Sequence, residues 1–466
     1  MATRAIGPWG LAALLVVPAC SGRANDDTAN ADASTGSPAT EGGDGADGSW
    51  DPGSTGDSGT TDGGDPTSND GTTEESGDEA ESGGGGSSTG DTPGAYPGLQ
   101  GYGTDSTFGE GGESCVVTTL DADGPGSLQD CVANRDTQDG NPTPRVVTFD
   151  VGGTIQLTQH LRIRQPFLTL DGLSAPEPGI TIEQTGDGST GGVLINTWAP
   201  VGTCGHDVLV RGLRILGTWT PDQGSVGENW PSLILDGENV PGCLHHVVLD
   251  RVTVVGAIDS AGDIWGGATD VTVQYSAFLG NYHPSTWSHF PGGEPGQQRE
   301  RISAHHNLWA NNHERNPQIR ALVLDLNYEQ NIVHNWDAYG FRGGYGVRIR
   351  CRNGVCPQRL NFIGNHFTST SSATGQTMVL GDVVGPDPDE TMIAPEVYLA
   401  DNRVPAGNTD NGSAPAEFPR PPVAEVDLVD PSEVVDAVLP HVGAPYRPAT
   451  EEAIFDEVAA TIEDEL

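Results

Sequence analysis

A chain of 466 residues with 65 acidic against 21 basic side chains has a formal charge of −44, which argues against a nucleic-acid partner. All the basic residues are arginines, because the sequence contains no lysine. Any site for an acidic ligand must therefore be built from arginine, histidine or a metal ion.

The N-terminus sets an expected compartment. Arg4 supplies a positive start, Leu11-Ala-Ala-Leu-Leu-Val-Val17 is a short apolar run, and Pro18-Ala19-Cys20 closes it. The run is too short for a stable membrane span. It resembles a bacterial lipoprotein signal, residues 1–20, ending at a Cys20 that becomes lipidated and forms the new N-terminus. Export to the outer membrane or cell surface through that lipid anchor is the expectation, with plain secretion as the alternative. Residues 21–96 hold seventeen Asp or Glu and one arginine among Gly, Ser and Thr. Such a segment buries too little apolar surface to offset its ordering entropy, so it reads as a disordered acidic tether.

Seven cysteines minus Cys20 leave Cys115, Cys131, Cys204, Cys243, Cys351 and Cys356. An even number in an exported chain suits disulfides, and local pairing of 115 with 131, 204 with 243 and 351 with 356 is the simplest of several connectivities. No CxxC pair occurs, so no cysteine-based zinc cluster is expected.

Residues 97–466 read as one folded unit. Short β-branched runs recur between Gly, Asn and Asp, at Val146–Phe149, Phe167–Leu170, Ile180–Ile182, Val208–Val210, Val247–Leu249, Val271–Val273, Leu322–Leu324, Val347–Ile349 and Glu396–Leu399. A second pattern, a β-run then a polar turn residue then a short apolar run, places asparagines at 307, 331, 365 and 402. Their spacing suits the rungs of a solenoid with loops of variable length, and stacked asparagines can bond along a ladder. The predicted fold is all-β, a right-handed single-stranded parallel β-helix. A sandwich or propeller would need hairpin turns, and few Asn-Gly or Asp-Gly pairs sit where strands would meet. Residues 431–439 and 450–462 have helical spacing and acidic or capping starts. These short C-terminal helices (about 431–464) are expected to pack across the outside of the solenoid.

The residues that could carry chemistry concentrate between 259 and 320. Asp259 and Asp263 offer two hard carboxylates suited to calcium. His283, His289, His305, His306 and His313 follow, on no common helical face. Arg315-Asn-Pro-Gln-Ile-Arg320 sets two guanidiniums about a proline, as a clamp for carboxylated sugars or as a plain surface loop.

These stretches carry a family resemblance. Asp259-Ser-Ala-Gly-Asp-Ile-Trp-Gly-Gly-Ala-Thr-Asp-Val-Thr-Val-Gln-Tyr-Ser276, Ile302-Ser-Ala-His-His-Asn307 and the RxPxxR of Arg315–Arg320 resemble pectate lyase segments in order and spacing. Gly124–Leu128, Val146–Ile155, Leu170–Ile182 and Val438–Ala444 are similar to further parts of bacterial members, so the likeness spans nearly all of 97–466. The resemblance implies calcium-assisted β-elimination of an acidic polysaccharide by a probable monomer. In it Arg315 is the base that removes the C5 proton of a uronate, made less cationic by its neighbours and calcium, with an alkaline optimum. Arg320 would hold the substrate carboxylate, and Asp259 and Asp263 would ligate Ca2+. Two departures mark this chain: His283 stands where the family has a substrate-binding lysine, and the other calcium aspartates fall near Glu228 and Asn229. They widen the expected substrate from pectate to polyuronates generally. A glycan-binding β-helix without catalysis is the main alternative. A β-helix glycoside hydrolase using carboxylates such as Asp250 and Asp270 is the other.

Overall fold

Three parallel sheets of ten, eight and eight strands wind through the protein as a parallel β-helix, as seen in a computed structural model. The structure describes residues 98–465, apart from 134–136, 139–140, 186–191, 197–204, 224–231, 238–239, 241, 290–299, 321–323, 337, 339–344, 352–357, 371–375, 384–394, 405–416 and 419–424. The expected signal and tether, 1–96, lie outside the described residues, as do Glu228 and Asn229.

The first sheet runs from Glu113–Val117 to Glu396–Ala400, each strand pairing with the strand one rung on. The β-branched runs read from the sequence fall in strands of this solenoid, except that Phe167 forms the turn before its strand and that Leu322 and Val323 lie outside the described residues. One inward column shows why these runs specify rungs. Val147, Leu170, Val210, Leu249, Val273, Ala304, Tyr328 and Phe362 sit in direct register on successive strands. All are 2 % exposed or less. Burial of each large member contributes roughly 1.5–3 kcal/mol, and a register slip by one residue would turn the column to the outer face.

Asparagine does what the spacing anticipated. The Nδ2 of Asn307 donates to Oδ1 of Asn331 (2.9 Å), Asn331 to Asn365 (3.1 Å) and Asn365 to Asn402 (2.8 Å). Asn331 Nδ2 also donates to the carbonyl of Ala304, and its Oδ1 accepts the Asn307 backbone N–H. The side chains thereby satisfy backbone groups that a turn between two sheets leaves without ladder partners. A shorter second ladder, Asn281 to Asn312, holds the turn before the third sheet. Asn331→Ala strips both neighbours of a buried partner and is expected to destabilise the fold by about 3 kcal/mol. An unchanged denaturant midpoint would remove the ladder from the account of stability.

Helix α1 (Leu128–Ala133) is tied by a disulfide between Cys131 and Cys115 of the first strand. Cys243 is also disulfide-bonded, and its expected partner Cys204 lies outside the described residues. Helices α2 (Val434–Val438) and α3 (Ala449–Glu465) match the two helical stretches of the sequence. Their Val434, Val438, Phe455, Val458 and Ile462 pack on Leu279, Leu308, Ala310 and Ile332 of the second sheet, covering its outer face.

His305 and His306, on the first sheet, are buried with their Nδ1 atoms 2.9 Å apart. Burial, with the His306 charge added to it, holds His305 down to about 3, and burial holds His306 down to about 4. The folded state therefore takes up fewer protons than the unfolded chain below about pH 6.5. Stability should fall by a few kcal/mol as pH drops from there toward 4. Denaturant midpoints across that window should show the slope, and His305→Gln should flatten it. An equal slope in that variant would place the acid sensitivity elsewhere.

Candidate active site

The third sheet includes successive strands Leu233–Asp236, Asp263–Trp265, Thr286–His289, Gln318–Ile319 and Tyr345–Cys351. The turns that feed it bring the sequence's charged residues together. Asp259 and His283 form an isolated parallel bridge on neighbouring rungs, and the Ser285 N–H donates to the Arg315 carbonyl one rung further. Residues 24 and 32 positions apart in sequence thus become stacked neighbours. Gly262 makes the first of these turns possible, because a Cβ there would lie 2.8 Å from the Phe278 ring. Asp259 and Asp263 flank this turn, near enough for the Asp259 charge to act on Asp263.

Arg315 is the centre of the cluster. Its Nη1 donates to Asp259 Oδ1 at 3.1 Å and lies 3.5 Å from the Thr286 hydroxyl, while its Nε is 3.5 Å from Glu314 Oε1. The backbone at Arg315 has φ 61°, a left-handed conformation that costs a side-chain-bearing residue about 1–2 kcal/mol. Strain of this kind is retained where the surroundings fix it, and it is enriched at functional sites. Burial acts to lower the Arg315 pKa, but the Asp259 and Glu314 carboxylates outweigh it and raise the value. This differs from the expectation that the neighbours make Arg315 less cationic. The physical reason is that both nearby charges are anionic.

Glu314 escaped the sequence reading. It is buried, 3.2 Å from His283 Nε2. Burial alone would raise its pKa, yet His283 and the Arg315 charge pull it down to about 2. His283 lies between Glu314 and Asp259, with Nδ1 3.8 Å from Asp259 Oδ1, and its ring stacks on Tyr282 at 4.1 Å. At 1 % exposure it offers no surface to a polymer. Arg320 follows the strand Gln318–Ile319 and is half-buried, its backbone N–H donating to the Trp287 carbonyl. Ile319 points into the core, so the alternation of a strand turns Arg320 to the outer side. His289 lies at the end of the Thr286–His289 strand, and buried His313 stacks on Tyr282.

Asp263 tests whether the carboxylates suit a cation. It is 6 % exposed, and its Oδ1 accepts the Thr286 N–H at 2.5 Å. Burial first, and then the negative charge of Asp259, push its pKa well up. Arg315 supplies one positive charge here against the three carboxylates Asp259, Asp263 and Glu314. Hard oxygen donors and a deficit of positive charge fit a divalent cation such as Ca2+. Asp250 and Asp270, the hydrolase alternative, are instead each joined to an arginine on or beside the first sheet, Arg251 at 2.9 Å and Arg301 at 2.5 Å.

Fold and site together define a pectate-lyase-like β-helix protein. No protein-family model matches the chain. Among curated proteins it is 27 % identical over 375 residues to a "Probable pectate lyase C" of Emericella nidulans, covering 78 % of this chain and 75 % of that protein. It is 30 % identical over 275 residues to a namesake from Aspergillus flavus, covering 59 % and 54 %. The major allergen of cedar pollen shares the fold with a TM-score of 0.52 at 14 % identity, over 74 % of this chain and 92 % of that one. A Bacillus subtilis pectate lyase variant does so at 0.50 and 14 %, over 75 % and 97 %. Over most of its folded part the chain is similar to curated proteins named pectate lyase, and it shares their parallel β-helix fold. It spans three quarters of the first fungal relative and little more than half of the second.

Proposed function

We propose that this protein is an exported polysaccharide lyase that cleaves pectate or a related polyuronate by β-elimination. The supporting observation is the buried Arg315 guanidinium set against Asp259, beside Asp263, in a chain whose curated relatives are named pectate lyases. In this reading Arg315 accepts the C5 proton of a uronate. The electrons of that C–H bond form the C4–C5 double bond, the C4–O bond breaks, and the departing oxygen takes up a proton. Arg320, turned outward, binds the uronate carboxylate through its planar fork. Asp259 and Asp263 would hold Ca2+, with Glu228 and Asn229 as the expected further ligands. Bound there, calcium would offset the charge of the uronate carboxylate and make the C5 proton more acidic.

The remaining residues act on these groups. His283 and Glu314 hold Asp259 and Arg315 from behind, so His283 positions the carboxylates and does not touch the sugar. Because Asp259 and Glu314 raise the Arg315 pKa, its basic form gains population only at alkaline pH, which places the optimum there. Residues 1–20 as a lipoprotein signal and 21–96 as a tether would hold the domain at the cell surface, facing polymer. Incubation of the full chain with polygalacturonate, pectin and alginate should give a rise in ultraviolet absorbance from the unsaturated product, dependent on calcium. A folded protein that produces no rise on any of the three defeats the lyase reading.

A further inference from the structure

A second constellation lies on the first sheet, separate from the turns that carry Asp259, His283 and Arg315. His206 and His245 are direct partners on adjacent strands, and their rings stack in parallel with centroids 4.8 Å apart. Each is followed by a residue in left-handed conformation, Asp207 at φ 55° and His246 at φ 50°. In an ordinary strand successive side chains point to opposite faces. The left-handed residues break that alternation, so 206 with 207 and 245 with 246 can aim their side chains at one point.

The donor atoms meet there. His206 Nδ1 contacts Asp207 Oδ2, Asp207 Oδ1 is 3.5 Å from His246 Nδ1, and His246 Nδ1 is 2.9 Å from His245 Nδ1. One donor atom from each of His206, Asp207 and His245 can be chosen so that all lie within 4.8 Å of one another. Two nitrogens on one tetrahedral zinc would stand about 3.3 Å apart, inside the spread of these separations. These three donors, two imidazole nitrogens and one carboxylate oxygen on short side chains, match the preference of zinc for imidazole and carboxylate and leave a fourth position open, with His246 beside them. The Ser106 hydroxyl bonds Asp207 from the N-terminal segment, as outer partners of metal ligands do. Side-chain exposures of 24 % at His206 and 27 % at His246 leave an entry path.

We propose that His206, Asp207 and His245, with His246 beside them, form a site for one divalent transition-metal ion of the zinc class, stapling two successive rungs of the first sheet. Without an ion the same atoms form a hydrogen-bonded chain, and the ion replaces its shared protons. The site is chemically distinct from the oxygen-rich pair at Asp259 and Asp263.

The test is a zinc titration of the untagged full chain, stripped by chelator and kept in excess calcium so that hard-oxygen sites are filled. One equivalent of zinc should bind, with a rise in Tm. Binding should weaken at least tenfold in His245→Gln and His206→Ala, and be unaltered in Asp263→Asn. Cobalt(II) added to the wild-type chain should give the intense visible bands of a four-coordinate site, a readout that needs no variant to fold. The proposal is overturned if no equivalent binds and cobalt shows only weak six-coordinate absorption. It is equally overturned if zinc binds as tightly to His245→Gln as to wild type, or is lost in Asp263→Asn instead.

Discussion

Arg315→Ala is expected to lower kcat on polygalacturonate about 10³-fold, the scale on which a positioned base contributes, with KM changed only a few-fold. The side chain is 13 % exposed and holds Asp259 and Glu314 at once, so alanine also leaves two carboxylates short of a counter-charge. Breaking a buried pair this way can cost about 3–5 kcal/mol, and a lost rate could then reflect a lost fold. Arg315→Lys separates the two effects. Lysine restores a cation beside Asp259, so Tm should recover most of the difference. It cannot reproduce the fork that reaches two carboxylates, so kcat should remain depressed. Since the lysine pKa is about 2 units or more below that of arginine, the rising limb of its pH profile should move toward neutrality. A folded Arg315→Ala with an undiminished rate removes Arg315 as the base. A rising limb that stays in place in Arg315→Lys assigns the ionisation to another group.

Much of the scaffold behind that prediction is written in local sequence. The runs from Val146 to Glu396 are strands because β-branched residues alternate over four to six positions. Asn307, Asn331, Asn365 and Asn402 mark rungs because a short amide can donate to the next side chain while accepting a backbone N–H, the left-handed turn falling on the residue before each. The same signal was present for the second ladder. Leu279-Gly-Asn281 and Ala310-Asn-Asn312 each follow an apolar run, and their spacing of 31 is one rung. The active-site cluster was legible in part. Asp259, Asp263 and Arg315 stood out because acidic turns and RxPxxR are unusual beside strands. Glu314 did not, since its value depends on a ring from the preceding rung, and loop lengths rather than periodicity decide which rung faces it. Loop length also hid His206 and His245. They are 39 residues apart with two further strands between them, and nothing local signals that they pair. Burial was the other quantity unavailable from sequence. His283 reads as a substrate ligand until its position beneath Tyr282 is known.

Asp263→Asn is expected to act in opposite directions on stability and on activity. Burial and the neighbouring Asp259 raise the Asp263 pKa in the folded state, so the folded protein retains a proton that the unfolded chain releases. With fewer protons on the unfolded chain, stability falls as pH rises above the ordinary carboxylate range, and the penalty persists at neutral pH. Asparagine removes it. Its Oδ1 can still accept the Thr286 N–H, and its Nδ2 can donate toward Asp259 where a second anion stood. In chelator the variant should therefore melt several degrees above wild type, with a flatter pH dependence. Added calcium should reverse the order. At a hundredfold excess over Kd it stabilises wild type by about 2.7 kcal/mol, whereas the variant keeps one carboxylate of the pair and should gain far less. Activity should fall about 10²-fold or more and lose its calcium dependence, because the charge that offsets the uronate carboxylate is no longer held. Thermal melts of both proteins in chelator and in calcium, set beside rates in the same buffers, give the four numbers required. Equal calcium shifts in wild type and variant would take Asp263 out of the cation site. A variant that melts below wild type in chelator would show that the buried carboxylate is already compensated, and the electrostatic case for a cation between Asp259 and Asp263 would fall with it.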